Sequence, residues 1–304
     1  MAKQSPQELQ KEITDQIIAA IEGGISEDGK WVRPWTVSNI FPSNPTTGKQ
    51  YNGMNAILLM IAFGGGHFAG FGQWKDKFKA QVRKGEKSIP VLAPMMRKTG
   101  KKLASGKDEM IPVGFRTVRI FSAAQVDGWD TPVIETNDAF IEHQAAEDAI
   151  QYMITQGVDL QHGGDSAYFR PSTDMIGMPN KAQFAIESDY YATVLHELVH
   201  WTGKSDRLNR IKATGDRFGS HTYAFEELVA ELGASILCGE LGVHNGYRDD
   251  HAKYINHWLT IMKGDSKAIM DAASMAGKAV DVIMGRRTIK GQMITAKVDT
   301  KAAA

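Results

Sequence analysis

Cysteine is almost absent from this chain, since Cys238 is the only one among 304 residues. A single thiol excludes a disulfide within the chain and a zinc site built from several thiolates, because both need more than one cysteine. Cys238 lies in an apolar run from Ala234 to Leu241, where a reduced thiol packs as a small hydrophobic side chain. Cysteine usage therefore favours a reducing, cytoplasmic setting.

Long apolar runs are also missing. No stretch approaches the roughly 20 apolar residues of a membrane-spanning helix, and the amino terminus lacks the apolar centre of a signal peptide. We therefore expect no membrane association. A hydrophobic content of 42% over 304 residues is nevertheless ample for two modest hydrophobic cores.

Net charge is zero, but the charges are unevenly distributed. Residues 30–120 hold 16 Lys and Arg against four Asp and Glu, whereas residues 131–304 hold 17 basic against 23 acidic residues. A basic half joined to an acidic half indicates a nucleic-acid-binding module fused to a second unit. We expect domains at 1–130 and 131–290, a linker near 128–136, and a mobile Lys- and Ala-rich tail at 291–304.

Hydrophobic periodicity predicts an α+β fold in the first half and a mainly helical second half with a few strands. The predicted helices are 6–21, 55–62, 73–81, 139–156, 190–200, 223–232, 249–262 and 267–284, and the predicted strands are 88–96, 113–121 and segments within 167–178.

An H-E-x-x-H motif spans His196 to His200 inside a predicted helix. Two imidazoles four residues apart project from nearly the same side of a helix, about 6 Å apart along its axis, so both can bind one metal ion. Glu197 points about 100° away, the position of a general base that binds a metal-held water. The alternative is a pair of histidines hydrogen-bonded in a hydrophobic core.

A catalytic zinc site needs a third protein ligand and one open position. Downstream, Glu227 and Glu231 are four residues apart on a predicted helix, whereas Glu226 points elsewhere. We expect Glu227 to bind the metal and Glu231 to accept the far ring N–H of a ligand histidine. Tyr223 or His221 is the candidate for steadying an oxyanion. The alternative is that these glutamates form a solvated helix face. His/His/Glu sites accept Zn²⁺ and also Mn²⁺.

Basic and aromatic residues alternate through the first half. Cations that follow a phosphate backbone and rings that stack on unpaired bases are the two requirements for binding single-stranded DNA. The alternative is that the rings are core and the lysines a solvated face. The candidate DNA contacts are Trp35, Lys49, Tyr51, Asn52, Asn55, Trp74, Lys75, Lys77, Lys79, Arg83, Lys84 and Lys87.

Motifs in both halves resemble the ArdC-type antirestriction proteins of conjugative plasmids and the amino-terminal regions of plasmid primases. They are 34–35 (PW), 44–55 (NPTTGKQYNGMN), 83–87 (RKGEK), 121–128 (FSAAQVDG), 190–203 (YYATVLHELVHWTG), 207–210 (RLNR) and 223–234. The resemblance covers the chain to about residue 285. It implies an amino-terminal single-stranded-DNA-binding domain, a carboxy-terminal zincin-like metallopeptidase domain, and protection of incoming plasmid DNA from host restriction.

Three hypotheses about function stay open. In the first, the chain is an active peptidase targeted by its DNA-binding domain to a host restriction or regulatory protein. In the second, it is a DNA-binding shield with a catalytically silent metal site. In the third, it is a peptidase that cleaves one specific repressor. A general protease is the least favoured, because an unrestrained protease harms its own cell.

Overall fold

The structure is a computed structural model that describes residues 6–24, 40–102, 106, 108–130, 143–184, 186–211, 221–243 and 252–292. The predicted α+β class is confirmed. Two predictions, Trp35 and the tail from residue 293, lie outside the described residues, as do most of the predicted linker and the start of the predicted helix at 139. None of the described helices combines the length and apolar character that a membrane span requires.

The first half mixes helices with short strands and one long hairpin. Its elements in chain order are α1 (Pro6–Gly23), β1 (Ser43–Asn44), β2 (Lys49–Gln50), α2 (Met54–Phe63), β3 (Phe68–Ala69), α3 (Phe71–Phe78), β4 (Gln81–Val82), β5 (Ile89–Lys102), β6 (Asp108–Ser122) and β7 (Val126–Asp127). The second half contains α4 (Gln144–Thr155), β8 (Asp159–His162), β9 (Tyr168–Arg170), β10 (Met175–Met178), α5 (Glu187–Thr202), α6 (His221–Leu241), α7 (Ala252–Gly264) and α8 (Ala268–Ile283).

The hairpin of β5 and β6 is longer than the sequence pattern predicts. Its pairing runs from Ile89 opposite Ile120 to Lys102 opposite Asp108, and β3 adds a third antiparallel strand at its base. Beyond Ala93 the ribbon consists largely of exposed residues, so backbone hydrogen bonds extend the strands where apolar alternation has already ended.

In the second half, β10 lies between two partners. It pairs in parallel with β8 and antiparallel with β9, so that among the described strands β9 lies at an edge of the sheet, beside α5. The strand β8 is absent from the sequence prediction because its residues are mostly polar and show no alternation.

The largest core joins helices from both halves. The apolar faces of α1 and α2 are buried with those of α5 to α8, with α1 against α7 and α2 against α8. Gly277 on α8 makes this approach close, because a Cβ there would lie 3.1 Å from Asn52 Oδ1. The helix α5 is therefore packed on several sides, and 14 of its 16 residues are buried.

The start of α5 differs from expectation. The sequence predicts that this helix begins at residue 190, but it begins at Glu187, and Ile186 occupies the N-cap position without making a side-chain cap. Glu187 and Asp189 instead lie in the first turn, where their negative charges interact favourably with the positive end of the helix dipole.

Candidate metal centre

His196 and His200 lie one turn apart on α5 and are 2% and 9% exposed. Their Nε2 atoms are 3.1 Å apart and their rings meet edge to face. Two nitrogens aimed at one point from adjacent turns of a rigid, buried helix form half of a metal site.

Glu227 on α6 completes the group. Its Oε2 lies 3.4 Å from His196 Nε2, and its Oε1 lies 3.5 Å from His200 Nε2. Ligand atoms around a tetrahedral zinc with bonds of ~2.0–2.1 Å are ~3.3 Å apart, so these separations fit one ion at their common centre. The structure thus brings together the three side chains that the sequence predicts as ligands.

The electrostatics of this group favour a cation. Burial disfavours the imidazolium form of His200, but the carboxylates of Glu227, Glu226 and Glu197 outweigh burial and raise its pKa to about 10. Burial likewise disfavours the Glu227 carboxylate, yet His200 and His196 hold its pKa well below the usual range. A buried point that binds a proton this strongly also suits a divalent ion, which displaces the proton when it binds.

Glu226 has a role that the sequence analysis missed. Its Oε1 lies 3.4 Å from His200 Nδ1, on the side of the ring away from the metal-facing nitrogen. Arg210 donates to both of its oxygens, at 3.1 Å from Nε and 2.9 Å from Nη2. Burial opposes the charged carboxylate, but Arg210 and His200 lower the pKa of Glu226. Glu226 therefore accepts the far ring N–H of His200 and fixes its orientation.

Glu231 takes the matching position for the other histidine. Its Oε2 lies 3.9 Å from His196 Nδ1, and its side chain is 1% exposed. It shares a helix face with Glu227 and Tyr223, because the three are spaced by four residues. The prediction that Glu231 orients His196 agrees with this placement and stays a prediction.

The segment after α5 closes the end of the metal helix. Arg210 donates to the carbonyl of Val199 at 2.7 Å and to the hydroxyl of Thr202 at 3.1 Å. Arg207 donates to the carbonyl of Trp201 at 2.7 Å and lies 3.4 Å from the centre of its ring. Two buried guanidinium groups thus satisfy the last carbonyls of α5, which accounts for the arginines of the 207–210 motif.

A glycine lets α6 approach α5 closely. A Cβ at Gly233 would lie 2.8 Å from Cγ2 of Val199, which real side chains do not tolerate. Only glycine therefore fits where the two helices meet. This contact sets the spacing between the histidines of α5 and the glutamates of α6.

The candidate catalytic groups surround this centre. Glu197 is 4% exposed, and its carboxylate is close enough to raise the pKa of His200. Tyr223 is half-buried one turn before Glu227 on α6. His221 begins α6, and its side chain lies outside the described residues.

The predicted DNA contacts divide into two groups. One group is exposed on the surface of the first half and carries its charge into solvent; it consists of Lys49, Lys75, Lys77, Lys79, Lys84 and Lys87. Arg83 is also exposed, but its guanidinium binds Glu86 at 2.8 Å and Asp127 at 3.5 Å, so its charge is partly neutralised.

The other group is structural. Trp74 is fully buried and donates its indole N–H to the carbonyl of Phe121, so the prediction that it stacks on bases is wrong. Tyr51 is half-buried with its hydroxyl on the carbonyl of Phe68. Asn55 bonds both the N–H and the carbonyl of Leu92, at 2.9 and 2.7 Å.

Asn52 joins the two halves of the chain. Its side chain donates to Asp281 at 3.4 Å and accepts from the N–H of Gly53 at 2.6 Å. The 44–55 motif therefore holds α2 against α8 and, through Asn55, supports the edge of β5. The sequence could not separate these contacts from DNA binding, because their partners are 37 to 229 residues away.

Two protein-family models match this chain. Residues 7–121 match the N-terminal domain of the anti-restriction factor ArdC, and residues 146–275 match a zincin-like metallopeptidase. An uncharacterized protein of Sinorhizobium fredii is 35% identical over 91% of this chain and 92% of its own length. A DNA primase, TraC, of Escherichia coli is 34% identical over 90% of this chain, which spans 27% of that primase.

Two crystal structures of one antirestriction protein also match this chain. The metal-free crystal structure of the antirestriction protein ArdC from plasmid R388 has a TM-score of 0.68 and 33% identity, and the match covers 91% of this chain and 96% of that one. The Mn(II)-bound structure of the same protein has a TM-score of 0.65 and 32% identity over 91% and 97% of the two chains.

Proposed function

The chain belongs to the family of ArdC-type antirestriction proteins, and we propose that it protects incoming plasmid DNA from restriction. In this proposal the first half binds single-stranded DNA and the second half is a metal-dependent peptidase. The observation that carries the proposal is the convergence of His196, His200 and Glu227, whose ligand atoms all lie within 4.8 Å of one another.

The donor set suits a catalytic divalent metal. Two imidazoles and one carboxylate leave a fourth position open, and Zn²⁺ and Mn²⁺ both accept such ligands. A bound ion of this kind polarises a scissile carbonyl and lowers the pKa of a water molecule. Glu197 then accepts the proton, Glu226 and Glu231 orient the two imidazoles, and Tyr223 steadies the developing oxyanion.

The substrate in this proposal is a host restriction or regulatory protein. The edge strand β9 beside α5 supports a peptide substrate, since an extended peptide can pair with the free side of an edge strand. The basic first half supports DNA binding, since its exposed lysines match a phosphate backbone.

A plasmid-transfer assay tests the protective role. A plasmid carrying the gene is transferred into a restricting and a non-restricting recipient, beside the same plasmid without the gene and with His196→Ala. We expect the intact gene to raise transfer into the restricting recipient alone, and His196→Ala to remove this advantage. Equal transfer with and without the gene would refute antirestriction as the function, and full protection by His196→Ala would refute a role for the metal site.

A further inference from the structure

One face of β6 carries an uncovered row of aromatic and basic side chains. Side chains alternate between the two faces of a strand, and the pairing of β6 with β5 is regular from Ile120 to Gly114. Ile120 is therefore on the core face and is 3% exposed, while Phe115 on the other face is 61% exposed. The residues on this face, here called the uncovered face, are Phe115, Thr117 and Arg119, which are exposed, and Phe121, which is half-buried.

A cavity lies at one end of this row. Phe121 and Phe71 form part of its wall, with ring centres 6.3 Å apart, and its volume is about 510 Å³. Phe71 is 50% exposed, so its ring is available to a ligand. Lys84 also lines the cavity, as do Arg83 and its two ion-pair partners, Glu86 and Asp127. A ring beside an ammonium group is a combination that accepts a nucleobase and its phosphate.

The spacing of the row suits an extended ligand. Phe115 and Phe121 are six residues apart on one strand, which is about 20 Å at ~3.4 Å per residue. Arg119 lies between them, and its guanidinium contacts the hydroxyl of Ser88 at 3.4 Å. Among the described residues, neither Arg119 nor Lys84 has a carboxylate within ion-pair distance, whereas Arg83 binds Glu86 and Asp127. The cations along the row are therefore available to a polyanion.

The rest of the ribbon extends the same charge. Its basic side chains are Arg97, Lys98, Lys101, Lys102 and Arg116, against Glu109 and against Asp108, which pairs with Lys98. A patch of exposed apolar side chains marks an interaction surface, and on this ribbon the exposed apolar side chains are Met95, Met96, Met110, Ile111, Val113 and Phe115. The excess of positive charge on the ribbon favours a nucleic acid as the partner. A second copy of this chain is disfavoured, because two ribbons of like charge would repel each other.

We propose that the uncovered face of β6 is the path of single-stranded DNA, with one base in the cavity that Phe71 and Phe121 help to line and another on Phe115. The proposal rests on the proposed function, which assigns single-strand binding to the first half without a location. In this proposal base stacking is assigned to aromatic rings that reach solvent, in place of the buried ring of Trp74.

The test is fluorescence anisotropy of the full chain with an oligothymidylate of about 16 nucleotides, the upper end of site sizes for single-strand-binding folds. An abasic oligonucleotide of equal length is the backbone control. We expect Phe115→Ala and Phe71→Ala each to weaken oligothymidylate binding about 5- to 150-fold and to leave abasic binding unchanged. Arg119→Ala should weaken both and lower the salt slope by about 0.7. Ile154→Ala on α4, 39% exposed, is the matched apolar control and should have no effect.

The outcomes separate the two proposals. If the wild-type chain binds neither oligonucleotide, single-strand binding itself is refuted. If it binds oligothymidylate but Phe115→Ala and Phe71→Ala bind as tightly as Ile154→Ala, the path along β6 is wrong while single-strand binding stands. Tighter binding to duplex than to single-stranded DNA would also overturn this path. Phe115 is exposed enough that its removal should leave the melting temperature unchanged, so a loss of binding is not a loss of fold.

Discussion

Glu226 Oε1 lies 3.4 Å from His200 Nδ1, while both oxygens of the same carboxylate are held by Arg210. Arg210 in turn donates to the carbonyl of Val199 near the end of α5. The Glu226 carboxylate thus connects the imidazole of His200 to Arg210, which binds the carboxyl-terminal end of the helix that carries His200. This contact gives Glu226 a function without making it a metal ligand.

We expect Glu226→Gln to weaken metal affinity by about 10- to 100-fold while the site still fills at saturating metal. Glutamine keeps an oxygen for His200 but loses the charge that holds Arg210. A competition titration with a chromophoric chelator measures the affinity, with Glu187→Gln, half-buried in the first turn of α5, as the control. Unchanged affinity in Glu226→Gln would show that the contact with His200 does not tune the site.

The ligand assignment predicts about one divalent ion per chain. His196→Ala and Glu227→Ala should empty the site, because each removes one of three protein ligands, whereas Glu226→Ala should leave it occupied at saturating metal. Elemental analysis of the purified variants checks this. If Glu227→Ala retained its metal while Glu226→Ala lost it, the ligand assignment would be wrong, and Glu226 would be the ligand instead of Glu227.

Gly233→Ala should destabilise the fold by about 1–3 kcal/mol, because its new methyl group would overlap Val199. It should also weaken metal binding, since α6 carries Glu227. Adding Val199→Ala makes room for that methyl group and should recover part of both losses. Urea unfolding of the two single variants and the double variant measures the coupling. Strictly additive free energies would mean that this contact does not limit the spacing of the helices.

Metal binding should release about one proton at neutral pH. The pKa of His200 is raised to about 10, so the metal-free site holds a proton that the metal must displace. Affinity should therefore increase about tenfold per pH unit through neutrality and level off near that pKa. Calorimetry in buffers of different ionisation enthalpy counts the protons. Equal dissociation constants at pH 7 and 8 would contradict a protonated His200.

The sequence was sufficient where one helix held the whole pattern. The spacing of His196 and His200 predicts their shared face, and apolar periodicity predicts most helices to within a few residues. It was insufficient where partners are distant in the chain. Glu226 was assigned to no partner because Arg210 lies on a separate segment, and an aromatic ring such as Trp74 looks the same in a sequence whether it is buried or exposed.

Strands were predicted less completely than helices. The polar segment 159–162 shows no alternation, and its strand exists because β10 pairs with it. The ribbon beyond Met96 similarly depends on backbone hydrogen bonds between exposed residues. Pairing between distant segments leaves little trace in local composition, which is why these strands and the ends of the hairpin escaped prediction.

The central claim is that a metal-dependent peptidase acts beside a separate DNA-binding surface. Glu197→Gln tests it most directly, because it replaces a proton acceptor by a group of nearly the same shape. We measure protection of an incoming plasmid in a restricting recipient and, on the same purified variant, metal content and oligonucleotide affinity. The account predicts lost protection with metal and DNA binding intact. Full protection by Glu197→Gln would contradict it and would make the chain a DNA-binding shield.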